Sequence, residues 1–369
     1  MAVDREKVNP DQLAGVPHPR QSTVFFGHQE AQAGFLAAFQ TGKLHHAWLI
    51  QGKQGIGKAT LAYRFAQFVL ARATRSNAVI PPSSIPPSTQ VDFSSIDAQL
   101  ISSDSHPNLL VLRRSWNAKT KKFRAQISVD DVRELQHFLG NTAGMGKWRV
   151  VIIDRADDLN MNAANALLKM LEEPPAFCLF LLVSSELGKL PTTIVSRCQK
   201  LRLQALDEPT LRDCITHIIE HSDIQMPQDE QLSLILKLAD GRVRAALEFA
   251  NGRALEDYQE VKAILDLLPR IDPQAIIAIA ERLSVQANEQ DYHNFLQLLS
   301  SQIANRIKSI VLLGGGDKHK LAQWTQLWET ITTRKTETDL LNLDRGNFIL
   351  DLFASIEETA RQNGGLQGT

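Results

Sequence analysis

The sequence predicts an α/β domain built around a phosphate-binding loop, followed by a remainder that is all α. Three observations carry this. Short apolar strand signals alternate with helical runs as far as Leu203, the pattern of a mostly parallel sheet covered on both faces. Gly52 to Lys58 has the spacing G-x-x-x-x-G-K between a strand and a helix. Beyond Leu203 no comparable strand follows, and apolar residues recur at helical spacing.

Length and composition set the outer bounds. A chain of 369 residues exceeds what one hydrophobic core usually serves, so two or three domains are expected. Hydrophobic residues make up 43% and charged residues 22%, a globular balance that argues against wholesale disorder. Forty basic against forty-one acidic residues leave a net charge of -1, which weighs against bulk electrostatic coating of DNA. The start is polar, and no apolar run approaches the roughly 20 residues that span a bilayer, so the expectation is a cytoplasmic protein without membrane contact. Cys178, Cys198 and Cys214 show no C-x-x-C spacing and read as free thiols, with Cys178 a small buried hydrophobe.

The elements follow in order. Residues 1–23 read as a loose arm. Ala33, Phe35, Leu36 and Phe39 lie on one face of a helix over Gln29 to Phe39, with Gly42 as its stop. Ala47 to Ile50 is a strand leading into the glycine loop, and Leu61, Phe65, Phe68 and Val69 continue at helical spacing. The Pro- and Ser-rich stretch near 76–92 cannot bury enough surface to order itself and reads as a mobile insertion. Leu109 to Leu112 and Phe123 to Ile127 are predicted strands. The basic segment from Arg113 to Arg124, with Trp116, joins them: a solvated hairpin tip, or a nucleic-acid contact. Ser128 and Asp131 form a capping box for a helix that points Val132, Leu135 and Leu139 inward. Trp148 to Asp154 and Phe177 to Ser184 are strands around a helix over Ala163 to Glu172. Helices are expected over Leu211 to Ile219, Gln231 to Leu238 and Val243 to Phe249. The stripes Phe295, Leu298, Leu299, Ile303, Ile307 and Leu321, Trp324, Leu327, Trp328, Ile331 read as a bundle core or a partner face, with Gly314 to Gly316 breaking the pattern between them.

The chemistry concentrates near the loop. Gly52, Gly55 and Gly57 let backbone N–H groups curl round phosphate oxygens, and Lys58 adds a point charge. The next position should carry a hydroxyl for Mg²⁺, yet it holds Ala59, with Thr60 one residue late. Val150 to Ile153 ends in Asp154, where a carboxylate would hold the metal through water. Arg155 follows it and cannot accept a proton, so no general base stands there. Asp157 and Asp158, three and four residues on, are discounted as substitutes.

Trp148 to Asn160, Asn165 to Lys169, Leu171 to Pro175, Leu190 to Gln199 and Leu44 to Ala47 together resemble the bacterial clamp-loader AAA+ family. The resemblance implies an AAA+ α/β P-loop domain over 24–205, a helical lid domain over 206–255 and a C-terminal helical collar, or oligomerisation, domain over 256–369. It implies that Arg197, with Ser196 beside it in the family's S-R-C motif, is an arginine finger reaching the γ-phosphate of ATP on a neighbouring subunit. It assigns Ser184 to a nucleotide-sensing position and aims Arg244 at bound phosphate. An exposed helix arginine is the alternative for Arg244.

The family contains ATP-hydrolysing motor subunits of gamma or tau type and a stator that supplies the finger. Ala59 and Arg155 favour the stator; whether its loop still holds ATP, weakly or without hydrolysis, stays open, and a motor in which Thr60 shifts to the metal is the alternative. The family's zinc-binding cysteines after the P-loop helix are absent, so zinc is not expected. Implied partners are the gamma/tau and delta subunits in a hetero-oligomer, with the sliding clamp and primer-template DNA engaged by the assembly. By resemblance that assembly belongs to a DNA-directed DNA polymerase holoenzyme, though no nucleotidyltransferase site is visible in this chain.

Overall fold

A computed structural model describes residues 12–73, 89, 92–117, 122–140, 145, 148–285, 289–312, 318–341 and 344–363. Residues 1–11 of the expected arm, most of the Pro- and Ser-rich insertion, the hairpin tip at 118–121 and Gly314 to Gly316 lie outside the described residues. The chain forms two compact units, one of 1–226 with 240–245 and one of 227–239 with 246–369.

The first unit is organised by a five-stranded parallel sheet. Its strands are β1 (Ala47–Gln51), β2 (Leu109–Leu112), β5 (Arg149–Ile153), β6 (Cys178–Ser184) and β7 (Gln199–Arg202), in the order β2-β5-β6-β1-β7. β1 lies between β6 and β7, with Gln51 opposite both Ser184 and Arg202. Because successive side chains point to opposite faces, the apolar strands split cleanly. Trp48, Ile50, Val150, Ile152, Leu179, Leu181 and Val183 enter one core with α1 (Gln29–Gln40) and α2 (Lys58–Ala73). Ala47, Leu49, Val151, Ile153, Phe180 and Leu182 enter another with α4 (Val129–Gly140), α5 (Met161–Glu172) and α6 (Thr192–Ser196). Burial on both faces explains why these strands read as continuous apolar runs.

Local signals hold in detail. Ser128 N–H donates to Asp131 Oδ2 at 2.7 Å, and Asp131 N–H returns to Ser128 Oγ at 3.4 Å, closing the capping box at the head of α4. Val132, Leu135 and Leu139 are buried, as the periodicity predicts. Phe35 stacks on Phe65 at 3.7 Å, joining α1 to α2.

The strand expected over Phe123 to Ile127 is corrected. β4 (Lys122–Phe123) pairs backwards with β3 (Trp116–Asn117) in a separate two-stranded hairpin, and Ile127 makes only a single bridge to Leu159. Arg124, Ala125 and Gln126 are exposed and offer no alternating apolar face to hold a strand on a core. Elements not foreseen include β7, whose only buried residue is Leu201, the short α3 (Ile96–Ser102), capped by Ser95, the short α6, and a 3₁₀ turn at Pro19–Gln21 in what was expected to be a loose arm. The remaining helix of this unit is α7 (Glu208–Glu220).

The second unit contains α8 (Asp229–Ala239), most of α9 (Val243–Ala250), α10 (Ala254–Asp266), α11 (Pro273–Ser284), α12 (Glu289–Leu312), α13 (Lys318–Leu341) and α14 (Arg345–Asn363). Tyr292, Phe295, Leu299 and Ile303 of α12 share a core with Trp324, Leu327 and Ile331 of α13 and with Phe348, Ile349, Phe353 and Ile356 of α14. The aromatic stripes are therefore bundle core. No helix among the described residues is long and apolar enough to cross a membrane.

Candidate functional site

The glycine loop leaves the C-terminal end of β1 and delivers Lys58 as the first residue of α2. Gly52, Gly55 and Gly57 have φ of 153, 83 and 95°, which side chains rarely adopt. A Cβ at Gly52 would stand 2.6 Å from the Leu203 carbonyl oxygen. Four of the loop's carbonyls have hydrogen-bond donors. Lys58 Nζ donates to the Gly52 and Lys53 oxygens at 2.8 and 2.6 Å. Arg244 N–H donates to Gly55 O at 3.0 Å, and His28 Nε2 lies 3.1 Å from Ile56 O. With these carbonyls engaged, a glycine loop of this spacing at the head of a helix keeps its N–H groups for an anion.

Lys58 is buried, and desolvation lowers its pKa to about 8 against the opposing pull of Asp157 and Asp154; Arg155 lowers it further. Burial disfavours the ammonium while two carboxylates favour it. Asp154 ends β5. Asp157 lies in the 3₁₀ turn Ala156–Asp158, and both its carboxylate oxygens accept from Ser185 N–H, at 3.1 and 3.2 Å. That bond ties the turn after β5 to the end of β6.

Arg155 adopts a left-handed conformation, φ 59°, and its Nε pairs with Asp158 Oδ2 at 3.1 Å. Arg114 Nε reaches the same oxygen at 3.3 Å. Position 155, directly after Asp154, thus holds a guanidinium that cannot accept a proton. Asp157 and Asp158 are both committed to local partners.

Ser184 is fully buried at the end of β6, beside Gln51. Ser184 Oγ and Gln51 Oε1 have no hydrogen-bond partner among the described residues. Buried polar atoms are rarely left so, and these two leave hydrogen-bonding capacity at the sheet edge from which the loop springs. Ala59 and Thr60, at the start of α2, are half-buried. The loop fits a phosphate-bearing ligand; with Ala59 after Lys58 it lacks the hydroxyl that would ligate Mg²⁺ at that position.

Arg197 caps α6. Its Nη1 donates to Thr193 O at 2.9 Å, and its Nη2 pairs with Glu172 Oε1 at 2.6 Å, at the end of α5. Its side chain keeps 34% of its accessible surface. Ser196 Oγ donates to Thr193 O at 3.0 Å. Arg244 is half-buried at the start of α9, and the segment before it is tightly fitted: Asp240 pairs with Lys53 at 3.0 Å, and Gly241, φ 72°, packs against the Leu206 backbone.

The family described as DNA polymerase III, delta subunit, matches residues 27–207, from the approach to the loop through Arg197. The chain belongs to the bacterial clamp-loader AAA+ family. It is 30% identical over 72% of its length to the DNA polymerase III subunit tau of Salmonella typhimurium, matching 38% of that protein. It is 35% identical over 42% of its length to the DNA polymerase III subunit delta' of Pseudomonas aeruginosa, matching 41% of that protein. The chain thus spans well under half the length of these curated relatives. A solved structure of a DNA polymerase III gamma subunit-related protein from Thermotoga maritima is 16% identical, with a TM-score of 0.44, covering 88% of this chain and 99% of that one.

For a clamp-loader family member, the structure brings together Gly52, Gly55, Gly57, Lys58, Asp154 and the backbone of Arg244. It does not bring Arg197 and Ser196 to the same loop. The sequence reading did not identify three participants. Asp157, discounted as a substitute base, was not seen as a carboxylate acting on Lys58. His28 and Glu172 carry no motif; only their positions in the fold expose them.

Proposed function

We propose that this chain is the delta-prime, or stator, subunit of a bacterial DNA polymerase III clamp loader. It lends Arg197 to ATP held by a neighbouring motor subunit while its own loop does not turn ATP over. The observation that carries the reading is Arg155, ion-paired to Asp158 where hydrolysing relatives need a glutamate, with Ala59 at the metal position as support. The loop's cradle and Lys58 suit the phosphates of ATP, held weakly or without hydrolysis. Gamma or tau and delta subunits are the partners, the sliding clamp and primer-template DNA the targets of the assembly, and the chain acts in the cytoplasm. The lid and collar divisions at 206–255 and 256–369 belong to the same proposal.

Arg197 must leave Glu172 to act in trans. A partly exposed pair of this kind contributes about 0.2–1 kcal/mol. An arginine finger is worth about 10³–10⁵ in rate, or roughly 4–7 kcal/mol. The resting pair is therefore too weak to hold the finger back.

The test is reconstitution with motor and delta subunits. Arg197→Ala should assemble normally while clamp- and DNA-stimulated ATP turnover falls sharply; unchanged turnover refutes the finger. A second reading, an ATP-hydrolysing gamma/tau-type motor, is favoured by the longer match to the tau relative. Brisk magnesium-dependent ATP hydrolysis by the purified chain alone would decide for it.

A further inference from the structure

At the end of α7, on the surface of the first unit, His217, Glu220 and His221 place one ligand atom each within 4.8 Å of one another. Spacings of three and four residues put all three on one helical face. His217 is half-buried, and Glu220 and His221 are exposed. None belongs to the phosphate-binding site or to any motif of the family resemblance. We propose that these side chains form a surface site for a divalent transition metal of borderline softness, Zn²⁺ being the representative ion.

Three features favour a cation there. His221 Nδ1 lies 2.8 Å from the carbonyl oxygen of His217. A carbonyl only accepts, so Nδ1 carries the proton and the lone pair of Nε2 faces outward. Metal-binding histidines are oriented in this way, with the far ring nitrogen donating to a carbonyl. The position is also the C-terminus of α7, with His221 as its C-cap, where the aligned peptide dipoles concentrate partial negative charge. Finally, the rings are already gathered: the His217 and His221 centroids are 4.5 Å apart, and Phe26 packs against His217 at 5.6 Å.

The geometry needs little adjustment. A triangle of ligand atoms with 4.8 Å edges has its centre about 2.8 Å from each corner. Shifts of about 0.7 Å per ligand reach the Zn–N and Zn–O distances of roughly 2.0–2.2 Å. Exposed side chains at a helix end make such shifts at small cost. Two imidazoles and one carboxylate leave a coordination position to water, a donor set that zinc accepts. Cys214, one turn earlier, is buried and lies outside the three gathered ligand atoms. This site is independent of the cysteine module that the sequence lacks.

The test uses the full chain stripped of metal and titrated with Zn²⁺ by calorimetry. One saturable equivalent is expected, weakened at least tenfold in His217→Ala and in His221→Ala, and lost in the double variant. Far-UV circular dichroism should be unchanged in all three, because the substituted groups lie at an exposed helix end. The protein has ten histidines, so the double variant separates this site from weak binding elsewhere. No saturable equivalent in the unsubstituted chain, or an unchanged isotherm in the double variant, would overturn the proposal.

Discussion

Replacing Glu172 by glutamine isolates what the resting pair does to Arg197. The substitution keeps the size of the side chain and removes the charge that meets Nη2 at 2.6 Å. Both partners are partly exposed, 34% and 48%, so the interaction lies in the range of about 0.2–1 kcal/mol for solvated ion pairs. Divided by an RT of about 0.59 kcal/mol, that energy corresponds to a factor of roughly 1.4–5 in the population of released arginine. On the proposed finger role of Arg197, Glu172→Gln in a reconstituted loader should therefore raise ATP turnover at the neighbouring site by no more than about 5-fold, and most visibly at low salt. Arg197→Ala should lower it by several orders of magnitude, and the double variant should match Arg197→Ala alone. Thermal unfolding of the isolated chain should move by less than about 1 kcal/mol in either single variant. The assay is steady-state phosphate release with clamp and primed DNA present. A loss in Glu172→Gln as deep as that in Arg197→Ala would refute the reasoning, because the pair would then be acting as one unit.

Four other expectations concern Lys58, the segment before Arg244 and the head of α4. Lys58, with a pKa near 8 in the folded chain, should hold ATP or pyrophosphate more weakly at pH 9 than at pH 7, and equal affinity by calorimetry at both would count against its role. Its folded pKa is depressed below the unfolded 10.5, so the unfolded state binds more protons between those values and stability from this group rises across about pH 8–10.5; Lys58→Met should lose that rise in urea titrations. Gly241→Ala forces a Cβ to within 2.5 Å of the Leu206 carbonyl oxygen at φ 72°, and should destabilise the fold by roughly 2–5 kcal/mol, measured as a lower urea midpoint. Ser128→Ala breaks the capping box of α4 and should cost about 1 kcal/mol in the same measurement.

The central strands were legible because burial on both faces leaves them no polar positions: β1, β5 and β6 are apolar nearly throughout. The capping box of α4 was legible because its two partners are three residues apart. β7 was not. An edge strand needs only its backbone to pair, and Gln199, Lys200 and Arg202 point outward, so nothing in its composition marks it. The hairpin near Trp116 was misplaced for a related reason, since its short strands are held by the contact of Trp116 with Phe123 and have no periodicity of their own. At the site, the glycines, Lys58 and Asp154 announced themselves by spacing. The pairing of Arg197 with Glu172, the hold of Asp157 on Ser185 and the approach of Arg244 to Gly55 join residues that are distant in sequence and could only be seen in three dimensions.

The donors to the glycine loop's carbonyls have one further effect. Four of its carbonyls are fastened by His28, Lys58 and Arg244 before any anion arrives, so the ordering entropy of the loop has been spent during folding. An incoming phosphate group meets a loop whose backbone path is already set, and only the Lys58 side chain has to change partners, from the Gly52 and Lys53 carbonyls to the anion.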